Sequence, residues 1–398
     1  MQIIGERRRA DMLRGRPGVG SVRVPLDHAA PDGPGFELAY AEAGADQAGP
    51  TLVLLPGGPG LASVLPYRKV RKQLAAHGLH VVTPEHRGVG LSRHTPDGAL
   101  LPGDAVTLEQ AASDALAVRD AVGGERAILA GTSYGGYLAL EVARQAHGRF
   151  DALVLDSTAA TVHRPERDHQ RACFWDGTEP GFAGTAERVR ALAEAGTVTD
   201  DELAMAVPIV YELVGPEALD RLLARAERGH VTTIKRLCGL GAREVEGGRK
   251  PLIFDGDLTM PIAFGRMMPE RPDGRPFDRS VAMAKVRDAR PDIADDPFDA
   301  TPWLAELTAP ALVLHGARDM RMAPGAVEEL VDGLPNARRI TFPHAGHDLL
   351  RLRAAACAPI LAGLARDGLD GAERAVSAIV RRRPRWEPAA ARLAAVLP

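Results

Sequence analysis

The chain is poor in cysteine and nearly balanced in charge. Its 398 residues contain three cysteines, Cys173, Cys238 and Cys357. They are odd in number, far apart and without metal-ligand spacing, which argues against a disulfide framework or a cysteine metal site. Three reduced, mostly buried thiols in a reducing compartment are expected. The formal net charge is −3, so nothing points to a nucleic-acid partner or an anionic membrane surface. No uninterrupted apolar run approaches the roughly 20 residues of a membrane-spanning helix. The opening MQIIGERRRADMLRGRPGVG has basic residues but no apolar stretch behind them, unlike a secretion signal. A cytoplasmic location without a membrane partner is the expectation.

The hydrophobic fraction of 45% and the charged fraction of 25% suit a globular protein with a large core. The first part of the chain alternates strand and helix signals. SVRVPLDH (21–28), FELAYAEAG (36–44), RAILAG (126–131) and DALVLDS (151–157) read as strands; TLVLLPGGPG (51–60) reads as a strand, TLVLL, that ends in a glycine-rich turn, and HVVTPEHRGVG (80–90) as a strand followed by a loop. LEQAASDALAVRDAVG (108–123) reads as a helix. Short, nearly continuous apolar strands separated by helices imply a mostly parallel sheet covered on both faces. From 158 to 299 the strand signal disappears, and helical patterns alternate with polar stretches such as MPERPDGRPFDRS (268–280), a loop by composition. The strand signal returns in APALVLHGARD (309–319) and ARRITFPHAGHD (337–348). The expected division is an α/β core over 1–157, a helical insertion over 158–299, and the rest of the core with a helical tail over 300–398. The arginine run in the tail after Asp370 reads as a solvated helix end.

Chemistry enters at Gly131-Thr-Ser133-Tyr-Gly135, a G-x-S-x-G motif at a strand-to-helix junction. Such a turn strains the serine backbone and lifts its Oγ clear of the sheet. The flanking glycines are needed where a Cβ would strike a neighbouring element. A serine hydroxyl is a weak nucleophile and needs a base, which in turn needs an orienting carboxylate. In this architecture the order along the chain is serine, acid, histidine. Asp319, after ALVLHG, and His347, in PHAGHD, fit that order at the C-terminal ends of strands. Asp156 is a rival acid, and His344 a rival base three residues from His347. The Ala345-Gly346 pair suits a tight turn that presents His347. The glycine-rich Pro56-Gly-Gly-Pro-Gly60 loop would bring a backbone N–H, most simply that of Gly58, beside the N–H of Tyr134 to form an oxyanion hole.

The set PGGPG, PEHRGVGLS, GTSYGGYLALEVA, LVLHGARD and PHAGH resembles the proline iminopeptidase (prolyl aminopeptidase) group of α/β-hydrolases. The resemblance runs in order from Pro56 to His347. It implies an α/β-hydrolase fold with a helical cap inserted after the sixth strand, a Ser133–Asp319–His347 triad, and an oxyanion hole of Gly58 and Tyr134. It also implies removal of an N-terminal residue, often proline, from short peptides. Cap carboxylates would hold the substrate amine, because an ammonium leaving water needs a paired anion. Asp176, Glu179, Glu202, Glu212 and Glu217 are candidates by type, with Trp175 beside them as a substrate contact. Two departures stand out: the glycine loop opens with Pro56 where the group has His, and the cap lacks the W-x-x-W-E segment that carries an amine-binding glutamate.

The expected reaction is acyl transfer to Ser133 followed by hydrolysis, with no metal or organic cofactor. An esterase or thioesterase with the same triad is the alternative, since amide and ester cleavage share this machinery. A non-catalytic binding protein on the same fold is the more distant one. The sequence specifies no oligomeric state.

Overall fold

The computed structural model describes residues 2–163, 166–245 and 248–382. Its first six strands are β1 (Val19–Pro25), β2 (Gly35–Ala43), β3 (Thr51–Leu55), β4 (His80–Pro84), β5 (Ala127–Thr132) and β6 (Ala152–Asp156). Two short strands, β7 (Arg249–Lys250) and β8 (Phe254–Asp255), form a separate ribbon. β9 (Ala311–Gly316) and β10 (Ala337–Phe342) follow. Eight strands make one sheet in the order β1-β2-β4-β3-β5-β6-β9-β10. β1–β2 and β2–β4 are antiparallel. Every pairing from β4 through β10 is parallel.

Every residue of β3, β5, β6 and β9 is buried, because helices lie on both faces of these strands. The pleat sorts β3 between two cores. Val53 and Leu55 join the cluster under the helices Leu108–Val122 and Tyr134–Gln145. Leu52 and Leu54 join the one that holds the helix Arg68–Ala75 and the long C-terminal helix Ala354–Arg374. Cys173 and Cys357 are buried and all three cysteines are free.

The edges differ in places from the sequence expectation. β1 starts at Val19 and pairs as far as Pro25 opposite Gly35; Leu26 N–H still donates to Pro34 O (2.8 Å), but Pro34 has no N–H to return the bond. The helix Gln2–Arg14, which the apolar pattern does not announce, precedes it. The segment between β6 and β9 is helical as expected apart from the β7–β8 ribbon. In the tail, the helix Ala354–Arg374 breaks at Gly368, where φ is 65°, and Ala378–Arg381 forms one more turn. The tail residues from 383 onward, with part of the arginine run, lie outside the described residues.

The helices between β6 and β9 build a core of their own. Phe174, Val189, Leu203, Leu222 and Phe277 cluster there, and Met320 joins them from the loop after β9. The segment leaves and returns through paired chains. Val162 donates its N–H to Phe298 O (3.1 Å), and Ala300 donates to Ala160 O (2.8 Å).

Candidate active site

The parallel strands end at one rim, and the loops there carry the residues singled out from the sequence. β5 turns at Ser133 into the helix Tyr134–Gln145 with φ 55° and ψ −122°. That φ is strained for a residue with a side chain. The turn is possible because its neighbours have none. A Cβ on Gly131 would fall 1.9 Å from Gly135 O, and one on Gly135 would fall 2.2 Å from Leu55 O. One on Gly136 would meet the Thr158 side chain at 2.6 Å. Ser133 N–H donates to Asp156 O (2.8 Å), and Ser133 O accepts from Gly136 N–H (2.8 Å).

The loop after β3 lies against this turn. A Cβ on Gly57 would sit 3.3 Å from Thr132 O and 3.6 Å from Ser133 Cβ. Gly57 N–H is taken by Tyr67 Oη (3.2 Å). Gly58, at φ 144°, lines a cleft together with Ser133 and Tyr134. Tyr134 is the first helical residue, so its N–H has no acceptor within the helix. Neither its amide nor that of Gly58 is bonded to another described residue.

The Tyr134 ring is fixed from behind. Its hydroxyl lies 2.8 Å from His86 Nε2, and His86 Nδ1 lies 2.6 Å from Arg87 O. A carbonyl can only accept, so Nδ1 carries the proton and Nε2 accepts from the tyrosine hydroxyl. Burial pushes His86 down to about 4, against a smaller pull the other way from its backbone bond to Arg87. The imidazole is therefore neutral.

Asp319 follows β9 and folds back on its own loop. Its Oδ1 accepts the N–H groups of Arg321 (2.9 Å) and Met322 (3.0 Å). His347 follows β10, and its Nδ1 lies 3.1 and 3.0 Å from the two Asp319 oxygens. Burial alone would raise the Asp319 carboxyl. The charge and hydrogen bond of His347 outweigh it and hold the carboxyl at about 2. Burial likewise works against the imidazolium, but Asp319 outweighs that and raises His347 above the ordinary imidazole value. His347 Nε2 is buried and makes no hydrogen bond to a described residue. The small residues before His347 are a packing requirement. A Cβ on Gly346 would come 2.2 Å from Glu212 Cγ and 2.8 Å from Glu212 O.

The two rivals occupy other positions. His344 contributes its backbone oxygen to the Arg318 guanidinium (2.7 Å). Asp156, at the end of β6, accepts the Thr132 and Ser157 hydroxyls (2.8 and 2.9 Å) and the N–H groups of Leu349 and Leu350 (3.2 and 2.8 Å). It ties the strand before Ser133 to the segment after His347. Burial first, and the charge of Asp348 second, raise it to about 6.

The cleft over Ser133 is open to solvent and has a cavity volume of about 140 Å³. Its floor is Gly58, Ser133, Tyr134 and Tyr137, and its charged walls are Glu166, Glu270, Arg279 and Arg321. Glu166 is ion-paired with Arg279. Glu270 is pushed up to about 7, by burial first and by the charge of Glu166 second.

None of the four substrate contacts expected from the sequence lines this cleft. Trp175 stacks obliquely on Phe277, with ring centroids 6.0 Å apart. Asp176 pairs with the exposed Arg275 at 3.4 Å, and Glu179 sits in the same surface loop. Glu212 is buried, and its Oε2 accepts Met320 N–H (3.2 Å). Of the other two candidates, Glu202 caps its own helix by accepting Thr199 N–H (3.0 Å), and Glu217 lies in the first turn of the helix Pro216–Ala226. Sequence reasoning missed Glu166, Glu270, Arg279 and Arg321. The first three stand in stretches without periodicity, so no local signal marks them.

Residues 50–201 match the family model described as the alpha/beta hydrolase fold. The chain has that fold: a mostly parallel eight-stranded sheet flanked by helices, with a helical segment inserted after the sixth strand. Among curated proteins no relative matches. Similar solved structures include the proline iminopeptidase of Mycobacterium smegmatis, 20% identical, covering 89% of this chain and 100% of that one, with a TM-score of 0.47. A thermophilic esterase from Thermogutta terrifontis is 21% identical, covering 86% and 96% of the two chains, with a TM-score of 0.47. A serine hydrolase from Cycloclasticus zankles is 18% identical, covering 88% and 99%, with a TM-score of 0.48. No described helix is long and apolar enough to cross a membrane.

Proposed function

We propose that the protein is a serine hydrolase that releases the N-terminal residue of short peptides through an acyl-enzyme. The observation that carries this reading is the strained Ser133 turn, set beside the Gly58 loop on a rim shared with the Asp319–His347 pair. In the proposed reaction His347 takes the Ser133 proton as the oxygen attacks the substrate carbonyl. The N–H groups of Gly58 and Tyr134 hold the oxyanion, and Asp319 keeps the proton on Nδ1 and stabilises the imidazolium. His347 then protonates the leaving amine, and water hydrolyses the ester on Ser133. In this reading residues 158–299 are a cap over the core formed by 1–157 and 300–398, and the enzyme works in the cytoplasm.

The amine end of the substrate falls to Glu166 and Glu270. They replace Asp176, Glu179 and Glu212 in that role, because they line the cleft and those three do not. Two carboxyl groups close enough for one to raise the other form a site that gains from an ammonium between them. Labelling with a fluorophosphonate probe tests the nucleophile: wild type labels and Ser133→Ala does not. A panel of aminoacyl-arylamides against acyl esters tests the substrate class. Turnover of arylamides that is lost when the amine is blocked supports the peptidase. Ester turnover alone, indifferent to the amine, supports the esterase reading.

A further inference from the structure

Of the two guanidinium groups that line the cleft, Arg279 is held by Glu166. Arg321 is not held in that way. Its backbone N–H donates to Asp319 Oδ1 (2.9 Å), which fixes where its side chain leaves the loop, and that side chain forms part of the cleft wall. The side chain is 46% exposed, and its Nε lies 3.8 Å from Glu212 Oε1. That distance gives a loose ion pair outside hydrogen-bond range. The other Glu212 oxygen accepts from Met320 N–H. The forked donors of Arg321 are thus open to a ligand in the same cavity as Ser133.

We propose that Arg321 is a subsite for a carboxylate of the substrate. The site's preferred ligands are then zwitterions, short peptides with a free C-terminus, and not amides, esters or interior stretches of longer chains. This rests on the reading above for the ammonium end at Glu166 and Glu270. The carboxylate end rests on Arg321 alone. The cleft sets carboxylates and a guanidinium with no hydrogen-bonded partner among the described residues on the walls of one cavity, with Ser133 on its floor. A guanidinium matches a carboxylate with two parallel hydrogen bonds, a geometry that an amide or ester end cannot reproduce. Such a pair discriminates, because an uncharged end group that covers the half-exposed guanidinium would take away its water without supplying an anion.

The test is direct binding to the full chain carrying Ser133→Ala, so that ligand is not consumed. Calorimetry compares alanyl-alanine with alanyl-alanine amide. The free acid is expected to bind at least tenfold more tightly. The ratio should fall to about one when Arg321→Gln is added, and to an intermediate value with Arg321→Lys, which keeps the charge but not the fork. Equal binding of acid and amide, binding of neither, or a preference that survives Arg321→Gln would overturn the proposal. If Arg321→Gln does not fold, the Arg321→Lys ratio decides, and an unchanged ratio counts against the subsite. Fluorophosphonate labelling of wild type separates the two readings. Labelling without an acid preference sinks the subsite alone, and a preference without labelling sinks acyl transfer alone.

Discussion

Glu212 Oε2 accepts the N–H of Met320 at 3.2 Å, so a carboxylate from the inserted helices braces the residue next to Asp319. The same side chain packs against the histidine turn: a Cβ on Gly346 would fall 2.2 Å from Glu212 Cγ. One buried residue therefore touches both loops that present Asp319 and His347. Glu212→Ala is expected to leave the Met320 N–H buried and unpaired, at a cost of about 1–3 kcal/mol, and to lower kcat more than it raises KM. Glu212→Gln keeps an oxygen for Met320 and should retain most of the activity. Denaturant titration and steady-state kinetics on the two variants check this. Equal losses in both would mean that the charge, and not the brace, matters.

The pH profile follows from the Asp319–His347 pair. In the proposed reaction His347 must be neutral to accept the serine proton, and Asp319 raises its pKa above the ordinary value, which is about 6.5. The rate kcat/KM should therefore rise with pH through a midpoint above about 6.5 and then level off. Asp319→Asn removes the carboxylate that favours the imidazolium and the Nδ1–H tautomer. Its midpoint should move down, and its plateau should fall by roughly 10⁴-fold. Profiles measured on an uncharged ester keep the amine's own titration out of the comparison.

Glu270 titrates separately. In the proposed amine site the ammonium would be held by the ionised carboxylate, and burial, with the charge of Glu166, places that ionisation at about 7. For an aminoacyl-arylamide, KM should fall as pH rises through about 7, up to the point where the substrate amine itself loses its proton near 8. An N-acetylated ester should show no such change in KM. Glu270→Gln should abolish the dependence and raise KM for amines, with kcat on the blocked ester little affected. A KM that stays flat across this range in wild type would remove Glu270 from the amine site.

Gly131 and Gly135 meet backbone to backbone, with 1.9 Å between the site of a Cβ on the first and the carbonyl oxygen of the second. No side-chain rotation relieves such a clash. Gly131→Ala should destabilise the protein by more than about 3 kcal/mol or prevent its folding. Gly325→Ala, where nothing lies within 4 Å of the new methyl, should leave the thermal midpoint nearly unchanged. Thermal melts of the two variants make the comparison.

The strands were legible because a sheet covered on both faces needs continuous apolar runs, and TLVLL and ALVLHG have no other good use. The serine turn was legible because its geometry excludes side chains at 131 and 135, which leaves a mark in the sequence. The positions of Asp319 and His347 followed from their place after strands. The cleft walls left no such mark. Glu166 and Glu270 are far apart along the chain and come together only through the packing of the insertion, which no periodicity encodes. Asp176 and Glu212 were indistinguishable from them by type. One lies on the surface beside Arg275, and the other is spent on a backbone N–H. Asp156 looked like a possible acid because it ends a strand at the same rim. Its four donors show instead a residue that fastens loops together.

The crossing at Ala160–Val162 and Phe298–Ala300 has a consequence for how such a chain can change. A long stretch of polypeptide departs and comes back through one narrow doorway, and it also rests on the frame beside the glycine loop, where Asp255 N–H donates to Gly60 O and Asp257 pairs with Arg93. Substitutions in the helices away from those supports can rewrite which molecules are admitted while the loops beneath keep their shape. New appetites on this scaffold should therefore arise in the upper storey, with the ground floor left as it was.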